Sequence, residues 1–494
     1  MGRNQDHEFE TERWGRFELR LNGPAEGNPF NEVTLAARFH YRHRTVEADG
    51  FYDGNGQYCI RFMPDTEGVW TFETVSNAAE LDGLEGRLTC TEPGAGNHGP
   101  VGVDKQVHFA YADGTPYYPF GTTSYVWNHQ SEQLEEQTLA SLRESAAFNK
   151  IRMCVFPKHY DYNLGEPERF PFEGSLQTGW DYTAFNPAYW QHLERRIEGL
   201  QNLGIEADLI LFHPYDRWGF AEMSPETDDY YLRYALARLS AFRNVWWSLA
   251  NEYDLMHAKS MRDWDRFFHI IQQNDPYQHL RSIHNWHHPG IHYRSNLHWY
   301  DHGKPWVTHA SIQHHDLQFV PEWLNDYKKP VVIDECRYEG DLNHGWGNIS
   351  GELMLELFWR GAVQGGYVTH GETFLNQDEI IWWSHGGTLR GESPEKIRFL
   401  RTIIEEGPQL GQPSVDFQWD AASGGIDGEY YLVYFGASRP AYRMLSLPAG
   451  TKFTIDLIDT WEMTVTLLEG EYEGQCRVDL PAKPYQALRI KRVN

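Results

Sequence analysis

The period of apolar and polar positions changes twice along the chain. Up to about residue 99, short alternating runs such as Trp14-Gly15-Arg16-Phe17-Glu18-Leu19 and Val69-Trp70-Thr71-Phe72 are separated by turn clusters such as Asp53-Gly54-Asn55-Gly56. Short period-two runs between Gly-rich turns predict a β-sandwich, and Glu92-Pro93-Gly94-Ala95-Gly96 opens a linker that runs to Pro100. From about 116 to 407, apolar strand-like runs at 118–121, 151–156, 207–212, 245–250, 281–284, 306–312, 331–333 and 366–369 alternate with helical stretches. Asn186-Pro187, Ser224-Pro225 and Ser393-Pro394 each place a capping residue before a first-turn proline, the preferred start of a helix. Tyr189, Leu193, Ile197 and Leu200, or Ile397, Leu400 and Ile404, recur at helical spacing. Eight strands mostly followed by helices predict a (β/α)8 TIM barrel. A doubly wound open sheet is the alternative, but no Gly-rich phosphate loop supports it. From about 408 the β texture returns, in runs such as Tyr430-Tyr431-Leu432-Val433-Tyr434-Phe435. The expected α/β organisation is therefore an N-terminal β-sandwich over 1–100, a barrel over 101–407 and a small C-terminal β-sandwich over 408–494.

Composition narrows the partners. The chain of 494 residues is too long for one core and has a net charge of −27, which repels polyanions, so neither nucleic acid nor an anionic membrane is an expected partner. Its 15% aromatic content, with 19 Trp, exceeds what core packing alone requires and suits a cleft where rings stack on sugar C–H faces. The five cysteines (Cys59, Cys90, Cys154, Cys336 and Cys476) show no metal-binding spacing. The start Met1-Gly2-Arg3-Asn4-Gln5-Asp6 is polar, and no run of about 18 apolar residues occurs, so a cytoplasmic protein is expected.

Two carboxylates carry the expected chemistry. The fourth predicted strand runs into Asn251-Glu252 and the seventh into Asp334-Glu335, and in a TIM barrel the residues ending strands at the C-terminal face form the active site. Strands four and seven stand on opposite sides of the axis, so Glu252 and Glu335 face each other across the mouth. Glycosidic cleavage with retention uses such a pair about 5–5.5 Å apart, one attacking the anomeric carbon and the other protonating the leaving oxygen. Asn251 is placed to bind the sugar 2-hydroxyl. Solvated loop acids are the alternative for both glutamates.

On these residues the barrel resembles clan A of the retaining glycoside hydrolases, the cellulase-like superfamily. That resemblance implies that Glu252 is the acid/base and Glu335 the nucleophile. It also matches Arg152, in Phe148-Asn149-Lys150-Ile151-Arg152, to the clan's strand-two arginine, and His213, in Leu211-Phe212-His213-Pro214, to its histidine after strand three. Gly50-Phe51-Tyr52-Asp53-Gly54 and Arg61-Phe62-Met63-Pro64-Asp65, followed by Glu67-Gly68-Val69-Trp70, resemble the N-terminal domain of bacterial apiosidase-like glycosidases. The likeness spans nearly the whole chain and hints at pentoses or furanosides. The clan expects a Tyr or His after strand six touching the nucleophile, for which Gln313, His314 and His315 are candidates. It expects a Trp after strand eight, whereas Gly371-Glu372-Thr373-Phe374 stands there and Trp382-Trp383 come later. Glu372 is thus a third carboxylate at the mouth, a binding or supporting residue or a rival catalyst.

Weaker signals surround this core. Trp127, Trp286, Trp299, Trp382 and Trp383 lie near strand ends and are candidates for sugar stacking, as are His129 and Tyr160. His284, His287, His288, His292, His298, His314 and His315 cluster, yet no HExxH spacing accompanies them, so no metal and no cofactor is expected. Cys336 is expected to be a packed residue. The sequence therefore predicts a retaining glycoside hydrolase acting on carbohydrate, β-linked and exo-acting on oligosaccharides or small glycosides, with a homo-oligomer allowed. Three alternatives remain: a carbohydrate-binding protein without catalysis, a transglycosylase using the same pair, and a metal-dependent hydrolase.

Overall fold

A computed structural model of the chain describes residues 7–286, 299–410 and 418–493. The N-terminal runs form a seven-stranded sheet in the spatial order His7–Glu12, Glu85–Thr91, Gly68–Ser76, Leu35–Tyr41, Arg44–Tyr52, Gln57–Phe62 and Phe17–Asn22. Its inward residues pack face to face: the Phe39 and Phe62 rings stack at 3.9 Å, and Trp70 is fully buried. The period-two reading placed Phe17–Asn22, Leu35–Tyr41, Gln57–Phe62 and Gly68–Ser76, with ends displaced by a few residues, and not the other three. Five cysteines, Cys59, Cys90, Cys154, Cys336 and Cys476, are all unpaired.

The central region forms one parallel eight-stranded sheet. In chain order its strands are β1 (Phe120–Thr123), β2 (Lys150–Cys154), β3 (Glu206–Phe212), β4 (Val245–Ala250), β5 (Arg281–Ser282), β6 (Ala310–Gln313), β7 (Val331–Glu335) and β8 (Tyr367–His370). Spatially they run β5-β4-β3-β2-β1-β8-β7-β6. A parallel bridge between His284 and Ser311 joins the outer strands, which makes the sheet barrel-like. Residues of β2, β3 and β7 fill its interior with a polar layer rather than an apolar one. Lys150 Nζ donates to Asp208 at 2.7 Å and to Asp334 at 2.8 Å, and Arg152 pairs with Asp334 at 3.3 Å. Among the described residues no helix is long and apolar enough to cross a membrane.

Helices α1 (Glu132–Ser145), α2 (Pro187–Asn202), α3 (Pro225–Leu239), α4 (Met261–Asn274), α5 (Val320–Tyr327), α6 (Gly351–Val363) and α7 (Ser393–Glu405) follow the strands. Asn186 and Ser224 cap α2 and α3 as their sequence predicts, each side chain accepting from a first-turn N–H. At α7 the cap differs: Glu392 is the N-cap and the Ser393 hydroxyl donates to Glu339 instead.

Sequence periodicity does not predict the antiparallel strands Val101–Asp104, His108–Tyr111 and Pro116–Tyr117, which precede the barrel. Phe109 from this sheet packs against Trp246, His309 and Tyr367 with ring centroids 5.2–5.6 Å apart, covering the N-terminal ends of β4, β6 and β8. The other end of the barrel is left open. The C-terminal region forms a five-stranded antiparallel sheet and a separate two-stranded pair. It docks on α6, where Trp359 and Tyr434 stack at 5.4 Å.

Candidate active site

Residues following the barrel strands enclose a cavity of about 530 Å³. Glu252 follows β4 and Glu335 ends β7, and both line this cavity. Glu252 adopts the left-handed conformation (φ 49°), a strain that non-glycine residues keep mainly at functional positions. Both carboxyls are buried, at 4% and 6% exposure.

Their surroundings differ. Among the described residues Tyr215 alone donates a side-chain hydrogen bond to Glu252, and burial together with the Glu335 charge pushes its pKa up to about 8. Glu335 is also raised by burial, but more groups oppose that rise. Tyr125 donates to Oε1, Gln313 Nε2 donates to Oε2 at 3.0 Å, Tyr338 adds a further bond, and Arg152 and Lys158 act through their charges. Donors and cations favour the ionised form, so of the two carboxyls Glu335 has the surroundings that better oppose protonation.

The supporting residues orient the pair. Asn251 Oδ1 accepts from Arg152 Nη2 at 2.9 Å and lies 3.2 Å from the Tyr125 hydroxyl, and the residue lines the cavity. Lys158 is buried at 4% exposure, with Nζ 3.5 Å from the Tyr125 ring centroid, 4.4 Å from Tyr215 and 4.7 Å from Trp383. Burial lowers its pKa. Trp383, Trp346 and Trp286 give the cavity aromatic walls, and Arg337 lines it from a left-handed backbone (φ 100°).

Of the residues expected to bind substrate, the cavity brings together Asn251, His315, Trp286 and Trp383, with Tyr160 and Gln313. Six others do not line it. Arg152 is fully buried and acts through Asn251 and Asp334. His213 faces the Phe156 carbonyl at 3.2 Å and is held neutral by burial, which lowers its pKa to about 3. His314 meets Asp316 N at 3.0 Å and packs on Phe319 and Trp323. Trp127 is fully buried, and Trp382 donates its indole N–H to Thr122 at 2.9 Å. Glu372 turns away because Glu372–Thr373 pairs with Glu339–Gly340, so its carboxyl accepts the N–H groups of Arg390 and Gly391 instead.

His129 and Trp299 also lie outside the lining, and Trp299 packs against Trp323. Burial pushes the Cys336 thiol up to about 12, which makes it a packed residue and no nucleophile. His284 is fully buried inside the barrel. His287, His288, His292 and His298 lie outside the described residues.

Sequence reasoning missed Tyr125, Lys158, Tyr215, Arg337, Tyr338 and Trp346 in the lining. The usable signal was position: Tyr125, Lys158 and Tyr215 each stand two to four residues beyond a barrel strand, where loop residues reach the mouth.

Comparison with known proteins identifies the family. The Apiosidase-like catalytic domain family matches residues 104–402, and two families of domains of unknown function, DUF5060 and DUF5605, match 10–77 and 419–491. No curated protein matches the chain. A Bacteroides vulgatus ATCC 8482 crystal structure, provisionally named a glycoside hydrolase, is 40% identical, with 99% of this chain and 100% of that one covered and a TM-score of 0.92. A family 5 glycoside hydrolase from the same organism shares the fold at 15% identity and a TM-score of 0.62, over 80% of this chain and 94% of that one. With this match over most of its length, the chain belongs to the apiosidase-like catalytic domain family.

Proposed function

We propose that this protein is a retaining glycoside hydrolase in which Glu335 is the nucleophile and Glu252 the acid/base. The observation that carries the reading is the asymmetry between two buried carboxyls in one cavity: among the described residues one has a single side-chain donor and a pKa of about 8, and the other is held by several donors. Glu335 attacks the anomeric carbon while Glu252 passes its proton to the leaving oxygen. Glu252, now ionised, then takes a proton from water, which releases the sugar with its original anomeric configuration. Asn251 donates to the 2-hydroxyl of the bound sugar, and Trp383 provides a stacking surface.

The eight parallel strands, joined by the His284–Ser311 bridge, support reading the centre as a TIM barrel. We divide the chain into a sandwich over 1–100, the barrel over 101–407 and a sandwich over 408–494. A cavity of about 530 Å³ is of the size that holds a small ligand, which favours exo action on oligosaccharides or small glycosides. β-Linkage follows from the resemblance to clan A. A transglycosylase would use the same pair and differ only in the acceptor.

The test is a panel of aryl pyranosides and furanosides of both anomers with wild type, Glu252→Ala and Glu335→Ala. Azide should rescue Glu335→Ala with an inverted glycosyl azide and Glu252→Ala with a retained one. Near-normal rates in both variants would refute the assignment.

A further inference from the structure

Next to the cavity wall, three buried side chains from separate elements meet at one point. Glu339 (2% exposed), Glu372 (1%) and His370 (fully buried) each place one ligand atom so that all three lie within 4.8 Å of one another. His370 Nδ1 is taken by the Thr122 hydroxyl at 3.0 Å, which directs Nε2 toward the carboxyls. Nε2 lies 3.9 Å from Glu372 Oε2 and has no hydrogen-bond partner among the described residues. A Cβ on Gly391 would collide with Glu339 Oε2 and lie 2.6 Å from Glu372 Oε2, so the two carboxylate oxygens converge on one side of that glycine.

Among the described residues neither carboxylate pairs with a Lys or Arg. Their fixed partners are donors at the start of α7. Gly391 N reaches Glu372 at 2.8 Å, and Glu392 N and Ser393 N reach Glu339 at 2.7 and 3.2 Å. Such donors orient metal-binding carboxylates, as outer-shell partners do; the Ser393 hydroxyl adds a second donor to Glu339 Oε2, so it is Glu339 Oε1, with one donor, that keeps a lone pair. Two buried carboxylates without a cation are costly, and an unbonded buried imidazole nitrogen adds to that cost.

We propose that Glu339, His370 and Glu372 bind a divalent first-row cation, Zn²⁺ being the best match to one imidazole and two carboxylates. The charges balance: two carboxylates and a neutral imidazole around a 2+ ion. Metal–ligand bonds of about 2.0–2.2 Å require the Nε2–Oε2 gap of 3.9 Å to close by roughly half an ångström. The ion clamps the short pair Glu339–Gly340 and Glu372–Thr373 to the start of α7, and so fixes Tyr338, which lines the cavity beside Glu335. It has a structural role and stands whether or not the chain cleaves glycosides.

The test uses untagged full-length protein purified without chelator, its metal content measured by mass spectrometry, and thermal melting after chelation and after adding back Zn²⁺ or Mn²⁺. Expected are about one cation per chain, a fall to background in Glu372→Gln and His370→Asn but not in Glu335→Gln, and a Tm that drops on chelation and recovers on re-addition. A metal-free wild type whose Tm ignores both ions would overturn the proposal and leave a proton shared by the two carboxyls. Metal retained in both cluster variants would place it elsewhere and overturn it too. If the variants misfold by circular dichroism, the chelation and re-addition of wild type decide alone.

Discussion

In the proposed reaction Glu252 needs a proton at the working pH, and burial beside a second carboxyl supplies the means. With its pKa at about 8, kcat/KM should fall as pH rises through about 8, because the free enzyme then loses its acid. Replacing Glu252 by Gln should cost about 10²–10⁴-fold in rate on substrates with poor leaving groups. Tyr215 donates to the ionised form of Glu252 and holds its pKa down. Tyr215→Phe should therefore move the alkaline limb of the pH profile upward, and an unmoved limb would show that another group sets it. Lys158 acts in the same direction on both glutamates, so Lys158→Met should raise both limbs. Glu252, Glu335 and Asn251 were legible in the sequence because a residue ending a barrel strand has a fixed address. Glu372 does not line the cavity, because a two-residue strand pairing, invisible to periodicity, rotates its carboxyl toward α7.

Helices and strands form here largely from local rules, and the exceptions have local causes. Asn186 caps α2, its side chain accepting from Ala188 N at 3.1 Å. Asn186→Ala should destabilise the protein by about 1 kcal/mol in chemical denaturation. Ser393 does not cap α7 because the helix starts at Ser393 itself, with Glu392 as N-cap, and its hydroxyl donates to the buried Glu339 carboxylate. The start of β1 was placed two residues early, since Tyr118 and Pro119 continue the apolar run without joining the sheet. The strands at 101–117 escaped notice because they are only two to four residues long, too short for a period to show.

The N-terminal sheet and the barrel are joined by a buried ion network. Arg61 donates to Glu194 at 2.9 Å and Glu18 at 2.7 Å, while Arg238 donates to Glu194 at 2.6 Å and Asp53 at 2.7 Å. Asp53 and Arg61 belong to the two N-terminal motifs that carried the family resemblance, and here they dock the sheet onto α2 and α3. Glu194→Gln leaves two buried guanidiniums undercompensated and should cost about 3–5 kcal/mol in unfolding free energy. The Arg238 and Arg61 charges hold the Glu194 pKa at about 2, below its ordinary 4.5. Below pH 4.5 the unfolded chain binds the proton that folded Glu194 refuses, so this contribution is complete above about 4.5 and lost as pH falls toward 2. Wild type should therefore lose stability over that acid window more steeply than Glu194→Gln.

Local order was set by the sequence itself: the change of apolar period marks the three regions, and the eight strand runs place Glu252 and Glu335 at the ends of β4 and β7. Both follow from interactions over a few residues, which composition and spacing encode. Only tertiary structure decided which loop residues reach the cavity. Tyr125, Lys158, Tyr215 and Tyr338 come from four different strand ends, and their meeting around the two carboxyls depends on how the whole sheet curls. The same curl buries Arg152 and His213 behind that surface and brings Glu339, His370 and Glu372 together, contacts that no spacing along the chain records.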